Sequence, residues 1–218
     1  MATHDAPLVI VGASGWGKEV AWLAKRASFE VKGFLDDNPS LQEKSFYNFP
    51  VLGRVEDWPT FAYCQFLVAI AAPRVRKKVV EQVKRCGSPR FATLIDPDAS
   101  VDAELTRLGE GTVVCAGSVV TADVKVGEHV IINKLCSVGH DVVLESFSTL
   151  APKVMLGGHV HVHAGAEVGA SSAVRQGVEI GMGAMVGMGS LVLKDIEPNC
   201  LVVGSPTATL RRLEAFNA

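Results

Sequence analysis

Three groups of residues in this chain have types and spacings that could do chemistry. The first is His140-Asp141, directly after Val138-Gly139. An imidazole titrates in the range a general base needs, and a neighbouring carboxylate can fix its tautomer and support the imidazolium. On bare sequence such a pair is more often a surface turn. The second group is His159-Val-His161-Val-His163. Alternate residues of a strand point to one side, so this segment could present three imidazoles to a metal ion. The third is the glycine loop Gly12-Ala-Ser14-Gly15-Trp16-Gly17, placed where backbone N–H groups at a helix start could hold a pyrophosphate. Its spacing is GxxGxG, which weakens a dinucleotide reading, and Glu19 stands where a GxxxxGK phosphate loop needs Ser or Thr for magnesium. The same glycines could serve only a tight strand-to-helix turn.

These groups must be held by two different kinds of structure. Of the 218 residues, 48% are hydrophobic, which is ample for a core. Twelve of the 14 aromatics precede residue 96. Residues 1–95 hold 13 Lys/Arg against 9 Asp/Glu, and the rest hold 8 against 14. A boundary near residues 92–105 follows, with the more basic first part better suited to a phosphate ligand. A net charge of −2 without a basic field excludes non-specific nucleic-acid binding. The apolar stretch Pro7 to Ala13 is too short to span a bilayer, so no membrane segment is expected and a cytoplasmic location is. The five cysteines form no CxxC pair, which points to reduced thiols instead of a disulfide framework or a zinc site. In the first part, residues 7–11 read as a buried strand, Lys18–Ala27 as a helix, Val31–Leu35 as a second strand ending at Asp36-Asp37, Phe66–Ala71 as a third strand and Val75–Cys86 as a helix. That is a βαβ unit with acidic residues about 20 positions beyond the loop.

The second part repeats with period six. Stepping by six from Leu108 to Val192 gives fifteen positions, all aliphatic; chance would yield this on the order of one time in ten million. The position two before each is small or β-branched, as at Thr112, Ser118 and Ser190, and the position after is often Gly. One aliphatic residue per six fits neither a helix face nor an alternating strand. It fits short strands joined by tight turns, each coil burying its inward residues on the next. This pattern resembles the hexapeptide-repeat, left-handed parallel β-helix, in which about 18 residues complete a coil. Five coils are expected, and the resemblance implies a homotrimer. Cys136 takes an inward position, which favours a core role over a covalent nucleophile with Ser137. Val160 and Val162 also take inward places, sending the three histidines outward with no carboxylate or cysteine beside them. A solvent-facing or subunit-interface trio is expected there, and no metal.

A Rossmann-like α/β domain followed by this β-helix resembles the nucleotide-sugar N-acetyltransferases that modify 4-amino-4,6-dideoxysugars, of bacillosamine and perosamine type, and the related sialic acid O-acetyltransferase-like proteins. The expected organisation is a nucleotide-sugar domain over 1–95, an acetyl-CoA and catalytic β-helix over 96–203 and a tail over 204–218 near the CoA site. The resemblance implies catalysis by His140 with Asp141. It implies substrate contacts from Gly12, Ser14, Gly15, Trp16, Gly17, Asp36, Asp37, Ala72, Arg74 and Asn133, although Asn133 could only cap a turn and a His often stands where Trp16 is. It further implies acetyl-CoA as co-substrate, with an oxyanion donor at Gly158 and CoA contacts from Ala170, Met188, Lys194 and Pro206. Arg211 and Arg212 are available for phosphates. Two other readings stay open: O-acetylation of sialic acid or another sugar hydroxyl, and a non-catalytic nucleotide-sensing scaffold. The nucleotide and the sugar stereochemistry are not legible.

Overall fold

In the computed structural model, which describes residues 5–102 and 104–217, the chain divides into two compact units. The first holds the described residues up to Ala71 together with Val75–Pro97, and the second holds Ala72–Arg74 and the described residues from Asp98 onward.

The first unit is built on a sheet whose central strands are apolar on both faces, the pattern of a parallel sheet covered on two sides. Its strands are β1 (Leu8–Val11), β2 (Val31–Leu35), β3 (Ser45–Phe46), β4 (Phe49–Gly53), β5 (Gln65–Val68) and β6 (Arg90–Phe91), in the order β3-β4-β2-β1-β5-β6. β1 runs parallel to β2 and β5, and β3 and β4 form an antiparallel hairpin. The helices are α1 (Gly15–Arg26) and α2 (Pro73–Arg85). α1 therefore starts at Gly15 and not at Lys18, because Gly15, Trp16 and Gly17 form its first turn. Only Gly12-Ala13-Ser14 remains as loop. Gly17 is required by packing: a Cβ there would lie 2.0 Å from the Gly12 carbonyl oxygen. Gly12 itself has φ +105°, open to glycine and strained for other residues. Near the end of this unit, Asp96 is fully buried and held in a two-point ion pair by Arg26, at 2.9 and 3.1 Å.

The second unit is a parallel β-helix of two-residue strands. Strands pair with partners 18 residues away, as in Val113↔Ile131, Ser137↔Met155 and Val143↔His161. The second residue of each strand points inward, and from Val114 to Val192 these form one buried core. Buried hydroxyls explain the small polar residues two positions earlier. Ser118 Oγ donates to the Asn133 carbonyl at 2.7 Å and accepts the Cys136 N–H at 3.2 Å, and Ser172 repeats this with Gly187 and Ser190. A buried backbone polar group left unmet costs about 1–3 kcal/mol, so each hydroxyl secures a corner of a coil.

Every sixth residue from Gly111 to Gly189 has a φ between +54° and +73°, the left-handed second position of a tight turn. Glycine is the easy occupant, yet Asp141 (φ 58) and His159 (φ 58) sit at two of these places, where an L-residue costs on the order of 1 kcal/mol. Within the second unit the coils begin one strand earlier than the repeat in the sequence, at Ser100–Val101. It ends with a coil shortened by two residues, Val186 pairing with Val202. Ala208–Arg212 runs antiparallel to Cys200–Val203, within the second unit. Among the described residues no helix is long and apolar enough to cross a membrane.

Candidate active site

His140 sits on the corner between strands Ser137–Val138 and Val143–Leu144. The left-handed turn at Asp141 brings its carboxylate back beside the imidazole, with Nδ1 of His140 at 2.7 Å from Asp141 Oδ2. A carboxylate at Nδ1 keeps the proton there and leaves the lone pair on Nε2. The hydrogen bond from His140 holds the Asp141 carboxyl below the usual range, aided by charge from His159, whose Nε2 lies 3.8 Å from the same oxygen. His159 meets the His140 ring edge-on, with centroids 5.0 Å apart.

The next coil leaves room for this ring. Gly158 lies under it, and a Cβ at 158 would stand 2.6 Å from His140 Nε2. A Cβ at Gly139 would stand 2.8 Å from the Gly158 nitrogen. Among the described residues no backbone hydrogen bond uses the Gly158 N–H. The corner thus combines a directed imidazole lone pair, a carboxylate behind it and an approachable amide donor, the parts of a general-base acyl-transfer site. Cys136, two residues before Val138, is buried and its thiol is pushed up to about 11 by burial, which makes it an inert core residue.

The other residues expected to bind CoA lie on exposed or half-exposed turns. Ala170 stacks between Pro152 and Met188 in neighbouring coils, through hydrogen bonds from Ser171 to Pro152 and from Gly189 to Ala170. Met188 is 79% exposed. Lys194 is exposed, and Pro206 lies in the exposed turn between Cys200–Val203 and Ala208–Arg212. Arg212 pairs with Glu197 at the surface, and Arg211 is exposed.

In the first unit, the loop and the β2 end meet. Ala13 N–H donates to Asp36 Oδ2 at 2.7 Å, and Asp37 Oδ1 accepts the Val55 N–H at 2.9 Å. A cavity of about 150 Å³ opens there, lined by Gly12, Leu35, Asp36, Asp37 and Val55 among others. Ser14 precedes α1 without a side-chain cap, and no acidic residue occupies the first helical turn, which leaves free N–H groups of the kind that hold phosphate. Gly15 has nothing within 4 Å of a Cβ position, so packing does not require it. Trp16 Nε1 is buried without a hydrogen-bond partner among the described residues.

Three expected substrate residues belong to the second unit. Ala72 is exposed. Arg74 Nη2 donates to the Gly183 carbonyl at 3.0 Å and to Asn199 at 3.3 Å, and its guanidinium lies 5.5 Å from the Phe216 ring centre. Asn133 Oδ1 accepts the adjacent Lys134 N–H at 2.8 Å, the turn-capping contact. The histidine trio is a correction, since carboxylates do accompany it. Glu145 lies 2.8 Å from His161 and 3.2 Å from His163, Glu179 lies 3.2 Å from His163, and Asp141 faces His159. Adding one coil of 18 to Glu145 gives His163, a signal the period itself contains.

Comparison with known proteins agrees with this architecture. Residues 7–83 match the PglD N-terminal domain. PerB, a perosamine N-acetyltransferase from Caulobacter crescentus solved with CoA and GDP-perosamine, superposes with a TM-score of 0.87 at 29% identity over 96% of this chain and 99% of its own. The acetyltransferase domain of PglB from Neisseria gonorrhoeae FA1090, solved with acetyl coenzyme A, gives 0.88 at 30% identity over 95% and 100%. WeeI from Acinetobacter baumannii AYE gives 0.82 at 27% over 94% and 99%. Curated acyl-acyl-carrier-protein UDP-N-acetylglucosamine O-acyltransferases from Pseudomonas putida are 34% identical over 119 residues, and the match spans 46% of their length. With the α/β unit, the left-handed parallel β-helix and full-length likeness to the PglB domain in place, the chain belongs to the hexapeptide-repeat sugar N-acetyltransferase family.

Proposed function

We propose that this protein moves acetyl from acetyl-CoA to the 4-amino group of a nucleotide-linked 4-amino-4,6-dideoxysugar, UDP- or GDP-linked as in GDP-perosamine. The observation that carries the reading is the His140 corner: Nδ1 tied to Asp141 at 2.7 Å and Nε2 lying over Gly158. Both substrates bind before reaction. The amine nitrogen attacks the thioester carbonyl carbon while His140 Nε2 takes the amine proton. The carbon–sulfur bond then breaks, and the CoA thiolate leaves and regains a proton. Asp141 supports the imidazolium, and the Gly158 N–H stabilises the oxyanion, a contribution typically worth about 3 kcal/mol. Acetyl-CoA is held along the β-helix by Ala170, Met188 and Lys194, with the 204–218 segment and Pro206 closing its adenine end. The 1–95 region holds the nucleotide through the helix start after Gly12 and through Asp36-Asp37. Trimerisation would bury the flat outer faces of a thin prism.

The O-acyltransferase matches favour a second reading, a sugar hydroxyl as acceptor. Release of CoA thiol is followed with UDP-, GDP- and dTDP-linked 4-amino sugars and with free sialic acid. Turnover on one nucleotide 4-amino sugar, lost in His140→Ala, supports the proposal; turnover only on a hydroxyl acceptor replaces it with O-acetylation, and none at all leaves the nucleotide-sensing scaffold.

A further inference from the structure

On the face one strand beyond the His140 corner, a second cluster takes no part in the reaction above. Glu145 belongs to one coil, His161 and His163 to the next and Glu179 to a third, as the pairings Val143↔His161 and His161↔Glu179 place them. Glu145 Oε1 lies 2.8 Å from His161 Nε2 and 3.2 Å from His163 Nδ1. Its other oxygen is fixed by the Ala164 N–H at 2.9 Å. The two imidazoles are stacked, with centroids 3.9 Å apart and planes at 21°, and one nitrogen of each faces the same carboxylate oxygen. The far nitrogen of His163 lies 3.2 Å from Glu179 Oε2.

This arrangement calls for positive charge. Two carboxylates face two imidazoles: His161 Nε2 is hydrogen-bonded to Glu145 and His163 Nε2 to Glu179, while His163 Nδ1 lies 3.2 Å from Glu145 Oε1 without a hydrogen bond, a nitrogen open to a cation. Burial alone would raise the Glu145 carboxyl, but the Ala164 N–H and the two histidines hold it below the usual range, keeping it anionic.

We propose that Glu145 Oε1, His161 Nε2 and His163 Nδ1 form a binding site for a divalent transition metal of the zinc class, with Glu179 as the outer carboxylate that orients His163. The three ligand atoms lie within 4.8 Å of one another. Ligands at about 2.0–2.2 Å from a tetrahedral ion end roughly 3.3 Å apart, and because an imidazole binds a metal in its own plane, one of the two stacked rings turns out of the stack when the ion enters. The outer shell is already built: a ligand imidazole whose other nitrogen donates to a carboxylate, and a ligand carboxylate anchored by a backbone amide, are the supports metal sites use. Mixed nitrogen and oxygen donors select such an ion over calcium or magnesium. The bound ion would clamp neighbouring coils together. The His140-Asp141-His159 group at the corner also brings three donors together, but its Asp141 oxygen is taken by His140 and its side chains are 45–65% exposed.

The test is Zn²⁺ titration of the chelator-treated full chain against a chromophoric competitor, with thermal unfolding as a second readout. One equivalent per chain is expected, with a higher Tm at saturation. Glu145→Gln and His161→Ala should abolish stoichiometric binding, and Glu179→Gln should weaken it roughly 10–100-fold. His159→Ala and Cys86→Ser should keep it. Far-UV circular dichroism confirms the fold of each variant, and the two Glu→Gln changes preserve side-chain shape. No stoichiometric uptake, uptake unchanged in Glu145→Gln, or loss in His159→Ala would each overturn the assignment.

Discussion

Two histidine clusters lie a few residues apart on one β-helix and are prepared for opposite tasks. At the corner, His140 meets a carboxylate through Nδ1 only, and Nε2 lies over a glycine; on the neighbouring face, His163 meets carboxylates through both nitrogens. One imidazole is left with a usable lone pair, and the other is held for a cation. Exposure follows the same division: the His140 side chain is 61% exposed and that of His163 27%. The residue types are alike in both places. What differs is the neighbour on the adjacent coil: a glycine lies under the His140 ring, whereas carboxylates from two coils flank His163.

That contrast can be broken most sharply by exchanging which histidine is lost. Removal of a general base typically costs 10²–10⁴-fold in rate, and His140→Ala should lose roughly 1,000-fold in kcat/KM, measured as CoA thiol release. His161→Ala should keep turnover within about twofold of wild type; if the two variants lose activity alike, the clusters are not functionally separate.

Gly158→Ala comes next. The new methyl would stand 2.6 Å from His140 Nε2, forcing the ring aside and crowding the amide donor, so kcat should fall by about 100-fold, the value of one oxyanion donor. The variant's Tm should change little, since the corner is at the surface. A third variant, Asp141→Asn, keeps size and turn but removes the charge behind the base. A hydrogen bond to a charged group is worth about 1.5–3 kcal/mol, so kcat/KM should fall roughly 10–100-fold, less than in His140→Ala. The wild-type Asp141 carboxyl is depressed below its ordinary 3.8, so it remains ionised throughout a neutral assay range and should set no acid limb there.

The smallest expected effect lies at the other cluster and appears in stability. The Glu145 carboxyl is depressed from an ordinary 4.5. A depressed carboxylate stabilises the fold fully above its unfolded value and loses that contribution as pH falls through its folded value. Metal-free wild type should therefore unfold at a higher temperature than Glu145→Gln at neutral pH, by a modest margin for a partly exposed group, and the gap should close below pH 4.5. A gap that widens on acidification would mean the carboxylate is not held anionic by its neighbours.

The difference between the clusters also tracks what could be read from the sequence. The fifteen-fold aliphatic period dictates the coils because each inward side chain has no other place to go, and it fixes Cys136 as core and sends His159, His161 and His163 outward. His140-Asp141 is adjacent in sequence, so its pairing needs no tertiary knowledge. Glu145 is 16 residues from His161, and only the register of stacked coils joins them. Arg74 could not be placed either, since its partners Gly183 and Asn199 are more than 100 residues away. In the first unit the sequence places the α1 start at Lys18 because Gly15 and Gly17 are poor helix formers; the close approach of Gly17 to Gly12 overrides that propensity. The hairpin of β3 and β4 is not legible in the sequence, because two-residue and proline-containing strands carry almost no periodic signal.

The most direct test of the central claim is mass-spectrometric detection of N-acetylated product from GDP-perosamine and related nucleotide 4-amino sugars with acetyl-CoA, comparing wild type with His140→Ala at equal concentration. The account predicts stoichiometric product with wild type on one of these sugars and almost none with the variant. Equal product from both proteins would contradict it, because the acyl transfer would then not depend on the His140 base.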